Sequence, residues 1–401
     1  MIEQASLRGL SELREFDHQP RTRIVFGVDS VHRIGTLARE LGARKILLVT
    51  DPGIVAAGHA AKVQSHLAAS GLEVTVFDKA KENPTSRCVD DCVAVAKAAG
   101  IDTIIGLGGG SSMDTAKGCN FLVTNGGRMQ DYWGVGKAKR PMLPFIAVPT
   151  TAGTGSECQS AALIVDEQTH QKMACLDSKA TARIAILDPA LTLSQPTRVT
   201  ALTGIDALAH GLETAVTTKR NSLSAIFSAE SFKLCSSGLA EVLKRPDDIE
   251  ARGRMLLGAS LAGLAIENSM LGAAHAAANP LSAHYGLVHG LAVGMMLPTV
   301  VRFNAGQPET RSLYAALVGF ENNGSGNAAE LTEKLVRNID GLLNLAGIPA
   351  SLADCGVEKA KIPLLAEEAA KQWTASFNPR PVQKEDFVEL YEEAFKERSQ
   401  A

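Results

Sequence analysis

The stretch Asp102-Thr-Ile-Ile-Gly-Leu-Gly-Gly-Gly-Ser-Ser112 indicates the fold of the first half of this chain. An apolar run with the length of a buried strand leads directly into three glycines and two serines, and a helical pattern begins at Met113. Glycine lets the backbone approach an oxyanion closely, and a helix N-terminus offers free N–H groups. The stretch therefore predicts a diphosphate site or, alternatively, a tight strand-to-helix turn with Ser112 as the N-cap. Its spacing differs from the common Gly-x-Gly-x-x-Gly fingerprint.

Strand and helix patterns alternate on both sides of this stretch. Helices are predicted between most of the early strands, including 30–41 and 113–124, and a polar loop is predicted between the strands at 162–165 and 173–175. The predicted strands cover residues 23–27, 45–50, 73–77, 102–107, 145–148, 162–165, 173–175 and 183–187. Such alternation predicts a parallel sheet with helices on both faces.

The pattern changes near Asp188-Pro189 and Gln195-Pro196, after which only helical patterns follow. The predicted helices there cover about 222–244, 247–267, 270–284, 287–303, 328–346 and 384–397. The sequence thus predicts an α/β domain over residues 1–195 and an all-helical domain over 196–401.

Composition excludes several classes of protein. Of 401 residues, 45% are hydrophobic and 21% are charged, with a net charge of −3, which argues against nucleic acid or an acidic membrane as a main partner. The N-terminus lacks the apolar segment of a signal peptide, and no apolar run is long enough to span a bilayer. The 7 cysteines are scattered, which is typical of a reduced, cytoplasmic protein.

One aspartate and up to three of the four histidines between Gly204 and Gly290 form the second candidate site. In Gly204-Ile-Asp-Ala-Leu-Ala-His-Gly211, the aspartate and histidine are four residues apart on one predicted helix face. His275 and His289 lie on further helical segments and are candidates for the other half of a metal site. Carboxylate and imidazole without thiolate favour iron or zinc over calcium or magnesium. Alternatively, each histidine is a buried core residue.

Two further segments follow predicted strands. Pro149-Thr-Thr-Ala-Gly-Thr-Gly-Ser-Glu157 carries hydroxyls and glycines at the carboxyl end of a strand, where open α/β sheets bind ligands, although a surface loop has the same composition. Asp51 ends another strand. A carboxylate there either accepts hydrogen bonds from ribose hydroxyls and repels a 2′-phosphate, or begins the turn at Pro52-Gly53.

Together these motifs resemble the iron-containing (group III) alcohol dehydrogenases over essentially the whole chain. The matching segments are Gly108-Gly-Gly-Ser-Ser-Met-Asp-Thr-Ala-Lys117, Pro149–Glu157, Gly204–Gly211, His289-Gly-Leu-Ala-Val-Gly-Met-Met-Leu-Pro298 and Asn378-Pro-Arg380. The resemblance implies the fold that this family shares with dehydroquinate synthase. It also implies NAD as cofactor and one divalent metal, Fe²⁺ or Zn²⁺, between the two domains.

The resemblance also assigns residues to these groups. The implied metal ligands are Asp206, His210, His275 and His289. The implied cofactor-binding residues are Asp51, Asn83, Gly108, Gly109, Gly110, Ser111, Ser112, Asp114, Thr150, Thr151, Thr154 and Lys172. Asp51 is the residue expected to select NAD over NADP.

One position departs from the family. Many members carry a further histidine, often assigned to proton relay, four residues after the third ligand, and this chain has Asn279 there. An amide is neither an acid nor a base near neutral pH, so the proton leaves through the cofactor ribose and water or through another group. His284 is the nearest candidate in sequence, but a helix turns it about 140° from Asn279, which favours a packing or surface role.

The implied activity is hydride transfer between a primary or secondary alcohol, or its aldehyde or ketone, and NAD(H), with the metal polarising the substrate oxygen. Glycerol dehydrogenase- or maleylacetate reductase-like activity is an alternative on the same scaffold. A dehydroquinate synthase-like lyase is disfavoured because residues 255–301 contain no Lys or Arg to hold a substrate phosphate. A non-catalytic NAD-binding or metal-sensing protein is a further alternative, raised by Asn279. The resemblance implies a homodimer that pairs through the first strand.

Overall fold

The structure, a computed structural model, describes residues 14–322 and 327–398. Residues 1–13 and 399–401 of the two predicted domains lie outside the described residues. The chain forms two compact units, one of Gln19–Gln195 and one that begins again at Pro196 and includes the described residues up to His18. The sequence assigned the residues before Gln19 to the α/β domain. Instead, Arg14 donates to the carbonyl of Thr218, and His18 Nδ1 lies 2.9 Å from Asn268 Oδ1.

The unit Gln19–Gln195 alternates strands and helices. Its strands are β1 (Arg23–Phe26), β2 (Lys45–Val49), β3 (Glu73–Phe77), β4 (Thr103–Gly108), β5 (Gly134–Val135), β6 (Phe145–Pro149), β7 (Ala161–Val165), β8 (Lys172–Leu176) and β9 (Ile184–Leu187). Its α-helices are α1 (Ile34–Glu40), α2 (Pro52–Ala56), α3 (His59–Ala69), α4 (Ser86–Ala99) and α5 (Gly110–Asn125). Short 3₁₀ helices cover Ser30–Arg33, Met129–Tyr132, Ser156–Cys158, Ser178–Ala180 and Pro189–Thr192.

Six strands form a parallel sheet in the order β1-β9-β6-β4-β2-β3, which confirms the predicted parallel sheet. Successive side chains of a strand point to opposite faces. Ile46 and Leu48 of β2 accordingly pack with the core that contains α1 and α3, and Leu47 and Val49 pack with the core that contains α4 and α5. Both faces are therefore covered by helices.

Two details of this unit differ from the sequence prediction. Strands β7 and β8 pair antiparallel in a separate sheet of order β5-β8-β7. Helix α5 begins at Gly110, not Met113, and its N-cap is Gly109 instead of Ser112. Glycine disfavours helix locally, so the sequence pattern placed the start too late.

The second unit is helical. Its α-helices are α6 (Thr197–Val216), α7 (Ser222–Lys244), α8 (Ile249–Glu267), α9 (Ala273–Tyr285), α10 (His289–Asn304), α11 (Pro308–Asn322), α12 (Ala328–Leu345), α13 (Ile362–Ala370) and α14 (Lys384–Ala394), with 3₁₀ helices at Ala353–Cys355, Lys359–Lys361 and Trp373–Phe377. The sequence pattern missed α11 and α13. No helix within 14–322 or 327–398 is long and apolar enough to cross a membrane.

Helix α6 is buried along most of its length, including the face that carries Asp206, His210 and Glu213. Two glycines allow its neighbours to approach closely. A Cβ on Gly290 would lie 2.1 Å from the carbonyl oxygen of Leu202, and a Cβ on Gly211 would lie 3.2 Å from the backbone nitrogen of Phe232. The first contact holds the start of α10, and therefore His289, against α6.

Candidate functional site

The four predicted metal ligands lie together in the helical unit. Asp206 and His210 are one turn apart on α6, and His210 Nε2 is 3.5 Å from Asp206 Oδ1. His275 Nε2, near the start of α9, lies 3.4 Å from the same oxygen, and His289 Nε2, at the start of α10, lies 3.6 Å from it. Three helices thus direct one carboxylate oxygen and three imidazole nitrogens at a common point.

The chemistry of these atoms fits a divalent cation. Asp206 and His275 are buried, and among the described residues Asp206 Oδ1 and His275 Nε2 have no hydrogen-bond partner. A buried polar atom without a partner is costly, unless a ligand satisfies it. Ligand atoms of Asp206, His210 and His275 lie within 4.8 Å of one another. The side chain of His289 is 37% exposed and forms the accessible side of the cluster.

The electrostatics of the cluster favour an ionised aspartate. Burial acts to raise the pKa of Asp206, but positive charge on His210, His289 and His275 outweighs burial and lowers that pKa. Burial likewise acts to lower the pKa of His275, whereas Glu213 and Asp206 raise it to about 9. Asp206 therefore stays ionised and His275 attracts a proton, which a bound cation would replace.

Glu213 is a buried residue of this site that the sequence analysis missed. It lies three residues after His210 on α6, and its Oε2 accepts a hydrogen bond from His275 Nδ1 at 2.5 Å. Its Oε1 accepts a second bond from the backbone N–H of Ala274 at 2.7 Å. The signal was available in the sequence, because residues 206, 210 and 213 share one helix face.

The two candidates for proton relay have other partners. The Asn279 side-chain amide donates to Gln372 Oε1 at 3.0 Å and is half-buried. His284 Nε2 lies 2.8 Å from Glu368 Oε2, and both of these side chains are more than one-third exposed. His284 thus has the contact of a surface histidine, and its relay role stays a prediction.

In the α/β unit, the glycine-rich loop lies at the carboxyl end of β4, beside the carboxyl ends of β2 and β6. Gly108 has φ +145°, and a Cβ there would lie 2.5 Å from Ser112 Oγ. A Cβ on Gly109 would lie 3.2 Å from Thr151 Cγ2, and a Cβ on Gly110 would lie 2.8 Å from Thr154 Cγ2. The glycines therefore allow the threonine loop to pack directly on the start of α5.

Asp51 joins this loop to β2. Its Oδ1 caps α2 by accepting from the N–H groups of Gly53 and Ile54 at 2.9 and 3.1 Å. Its Oδ2 accepts from Ser112 Oγ at 3.2 Å, so Asp51 is both a turn residue and a neighbour of the glycine loop. Thr150 Oγ1, at the end of β6, is buried without a hydrogen-bond partner within the described segments, and is available to a ligand.

The remaining predicted cofactor residues are the pair Asn83–Lys172 and two residues of α5, Ser111 and Asp114. Lys172 Nζ donates to Asn83 Oδ1 at 3.2 Å, and Asn83 has a positive φ of 50°. Asp114 is buried on α5 and accepts from Ser156 Oγ at 3.2 Å. Burial raises the pKa of Asp114 to about 6, against the opposing effect of Lys117 and Lys172. Ser111, at the start of α5, accepts a bond from Thr115 Oγ1 through its carbonyl at 2.8 Å.

Lys117 is a buried residue to which the sequence analysis assigned no role. Its Nζ donates to the carbonyls of Ser156, Gln159 and Ala161 at 2.6, 2.8 and 2.9 Å, and lies 2.9 Å from Ser156 Oγ. It thereby connects α5 to the chain that follows the threonine loop. Its sequence signal is its position in the Gly108–Lys117 motif.

Comparison with known proteins gives a consistent result for both units. The family model described as iron-containing alcohol dehydrogenase matches residues 20–189. The model for the C-terminal part of the Fe-containing alcohol dehydrogenase family matches residues 200–395. The two matches together span most of the chain.

Individual relatives match over nearly their whole length. The chain is 34% identical to the NAD-dependent methanol dehydrogenase of Bacillus methanolicus over 370 residues, which covers 92% of this chain and 97% of that protein. It is 33% identical to the 1,3-propanediol dehydrogenase of Klebsiella pneumoniae, covering 95% and 99%. A crystal structure of a 1,3-propanediol oxidoreductase superposes with a TM-score of 0.91 at 32% identity, covering 95% of this chain and 100% of that one.

Proposed function

Because the chain belongs to the iron-containing alcohol dehydrogenase family, we propose that it transfers a hydride between an alcohol and NAD. A primary or secondary alcohol and NAD⁺ give the aldehyde or ketone, NADH and a proton, and the reverse reaction consumes them. The observation that carries this proposal is the convergence of three imidazole nitrogens on one oxygen of Asp206.

The proposed metal ligands are Asp206, His210, His275 and His289. A divalent ion held there supplies Lewis-acid polarisation of the substrate oxygen. Fe²⁺ is our first assignment because of the family, and Zn²⁺ is the alternative because imidazole and carboxylate bind both ions. The partly exposed His289 leaves one side of the cluster accessible to substrate.

The proposed NAD site is built on the α/β unit. The start of α5 and the loop Gly108–Ser112 hold the diphosphate with backbone N–H groups, and Thr150 contributes a hydroxyl. Asp51 accepts hydrogen bonds from the adenosine ribose and disfavours a 2′-phosphate. Thr151 and Thr154 shape the loop. The hydrogen-bonded pair Asn83–Lys172 would contact a ribose of the cofactor.

Asn279 gives the reaction no acid or base. Its amide is oriented by Gln372, and an amide binds a substrate hydroxyl or carbonyl without changing its own protonation state. We therefore propose that the proton of the alcohol leaves through the cofactor ribose and water.

The proposed substrates are short primary alcohols and diols with their aldehydes, since the two relatives above are named for methanol and 1,3-propanediol. Glycerol dehydrogenase- or maleylacetate reductase-like activity remains the second candidate, because its chemistry needs the same site. The lyase alternative has no support among these relatives, which are dehydrogenases by name.

We also propose a cytoplasmic homodimer that pairs through β1, an edge strand of the sheet.

The test is NADH absorbance with a panel of linear alcohols, diols and hydroxy acids, using metal-free protein reloaded with Fe²⁺ or Zn²⁺. We expect NAD reduction only after metal is added, and little use of NADP. Glycerol and maleylacetate belong in the panel as the second candidate. The absence of turnover with every alcohol and every aldehyde, despite bound metal and NAD, would contradict the proposal.

A further inference from the structure

We propose that Glu213 is a positioning residue for the metal site, which holds His275 in the tautomer and orientation that a divalent ion needs. The inference rests on the proposed metal site. Glu213 acts through His275, because its two oxygens bond Ala274 and His275.

The position of Glu213 follows from helix α6. The helix carries Asp206, His210 and Glu213 at spacings of four and three residues, so all three project from one face. Glu213 is buried, with 4% of its surface exposed. A buried carboxylate is costly unless its oxygens accept hydrogen bonds, and both oxygens of Glu213 do so.

The first of these bonds determines which nitrogen of His275 carries the proton. An ionised carboxylate only accepts, so the imidazole nitrogen 2.5 Å from Glu213 Oε2, which is Nδ1, must donate. In neutral imidazole the other nitrogen then keeps its lone pair. That nitrogen, Nε2, is the one 3.4 Å from Asp206 Oδ1 and without a hydrogen bond among the described residues. Glu213 thus makes the nitrogen that faces the cluster a ligand.

The second bond fixes the helix that carries His275. The N-cap of α9 is Gly272, which has no side chain to satisfy the first N–H groups. Other elements supply the caps instead: Asn378 Oδ1 accepts from Ala273 N–H at 3.2 Å, and Glu213 Oε1 accepts from Ala274 N–H at 2.7 Å. A Cβ on Gly272 would lie 2.9 Å from the Asn378 oxygen and 3.2 Å from that of Glu213.

One planar carboxylate therefore holds both the backbone before His275 and its imidazole. Because Glu213 is on the same helix as Asp206 and His210, these two bonds set the distance between α6 and the third ligand. A helix cap without this function would need only one of the two oxygens. The hydrogen bond between Glu213 and the imidazole of His275 distinguishes Glu213 from a residue that only caps a helix.

The chain offers a matched control on the same helix. His284 also bonds a glutamate, Glu368, at 2.8 Å, but these two side chains are 37% and 36% exposed. The substitutions Glu213→Gln and Glu368→Gln therefore make the same chemical change to the glutamates of two His–Glu pairs, whose histidines both lie on α9. Only the first pair includes a proposed metal ligand.

The experiment measures the affinity of metal-free protein for Zn²⁺ by competition with a chromogenic chelator, and the visible spectrum of the Co²⁺ form. In Glu213→Gln the side-chain amide has only one acceptor oxygen, whereas both oxygens of the wild-type carboxylate accept a hydrogen bond. Its NH₂ group must face either Ala274 N–H or His275 Nδ1, and the latter places the imidazole proton on Nε2. We expect a loss of roughly 10- to 100-fold in affinity and an altered Co²⁺ spectrum, with no change for Glu368→Gln.

The outcomes separate the inference from the proposed function. If wild-type protein binds no metal, the metal site itself is wrong. If wild type binds metal and both variants bind it equally well, the positioning role is wrong. A lower melting temperature of metal-free Glu213→Gln with unchanged affinity and spectrum would also overturn it, because that is the behaviour of a simple cap.

A measurement on wild-type protein covers the case in which Glu213→Gln does not fold. In the Zn²⁺-loaded protein with ¹⁵N-labelled histidine, we expect a low-field, slowly exchanging proton on Nδ1 of His275. An Nδ1 proton that exchanges freely, or none at all, would overturn the inference.

Discussion

The proposed metal site and the proposed NAD site are built from different materials. In the helical unit, side chains from α6, α9 and α10 supply the polar atoms, which converge on Asp206 Oδ1. In the α/β unit, the glycine loop offers backbone, and the neighbouring threonines pack directly on its glycines. The first part is therefore sensitive to the loss of a side chain, and the second is sensitive to the gain of one. The predictions below test that contrast.

The largest effect is expected for His275→Ala. The substitution removes a proposed metal ligand and leaves Asp206 and Glu213 as buried carboxylates without this partner. We expect loss of bound metal and a fall in kcat on the order of a thousandfold or more, with an intact fold by circular dichroism. Metal content and NADH formation are the measurements.

The control is His32→Ala, which removes an exposed histidine of the α/β unit. It should retain both metal and activity. Full activity in metal-free His275→Ala would remove the basis for the metal assignment.

The second prediction tests the glycine loop, whose backbone N–H groups form the proposed diphosphate site. A Cβ on Gly110 would lie 2.8 Å from Thr154 Cγ2, so Gly110→Ala must displace the threonine loop from the start of α5. We expect the KM for NAD to rise roughly tenfold or more, equivalent to at least about 1.4 kcal/mol of binding, with metal content unchanged. Adding Thr154→Ser removes the obstructing methyl group and should restore part of the affinity.

Gly341→Ala is the matched control. Gly341 lies inside α12, and apart from its chain neighbours and the backbone of its own helix, no atom of the described residues lies within 4 Å of the added Cβ. The substitution should therefore leave NAD binding unchanged. If Gly110→Ala and Gly341→Ala give the same KM, the glycine loop does not form the cofactor site.

The third prediction concerns cofactor choice. Asp51→Asn removes the charge of Asp51, while its amide oxygen still accepts from Gly53 and Ile54 to cap α2. We expect the ratio of kcat/KM for NADP to that for NAD to rise by on the order of tenfold, because a 2′-phosphate is no longer repelled. An unchanged ratio would mean that Asp51 serves only as a cap.

The smallest effect is a pH dependence of stability. The pKa of Asp114 is raised by burial from 3.8 to about 6, so the folded protein binds this proton more tightly than the unfolded chain does. Ionised Asp114 therefore costs stability above pH 6, and the cost disappears as pH falls toward 4. Relative to Asp114→Asn, the free energy of unfolding of wild type should rise by roughly 2 kcal/mol between about pH 7 and pH 4. Denaturant titrations at several pH values measure it, and a constant difference would contradict the assignment.

The sequence was most informative where local pattern and buried structure agree. The continuous apolar runs at 45–50 and 145–148 predicted buried strands because a parallel sheet covered on both faces leaves no polar side. The Asp206–His210 spacing identified one helix face of the metal site without knowledge of the other helices. The pattern also made His275 and His289 candidates but left a core role open, and the resemblance assigned both as ligands.

The remainder depends on contacts that no local pattern encodes. Helix α5 starts at Gly110 because the threonine loop packs there, although glycine itself favours other conformations. Glu213 gains its role only when α9 places Ala274 and His275 beside it. The antiparallel pairing of β7 with β8, in a sheet of its own, likewise depends on contacts of the turn that joins them.

The most direct test of the central claim is an anaerobic titration of metal-free protein with Fe²⁺, in which bound metal and NAD reduction by a short alcohol are followed together. The account predicts that activity rises in proportion to bound Fe²⁺ and stops rising at a single ion per chain, and that Asp206→Ala shows neither tight binding nor activity. Activity at full strength before metal is added, or equal titration curves for wild type and Asp206→Ala, would contradict it.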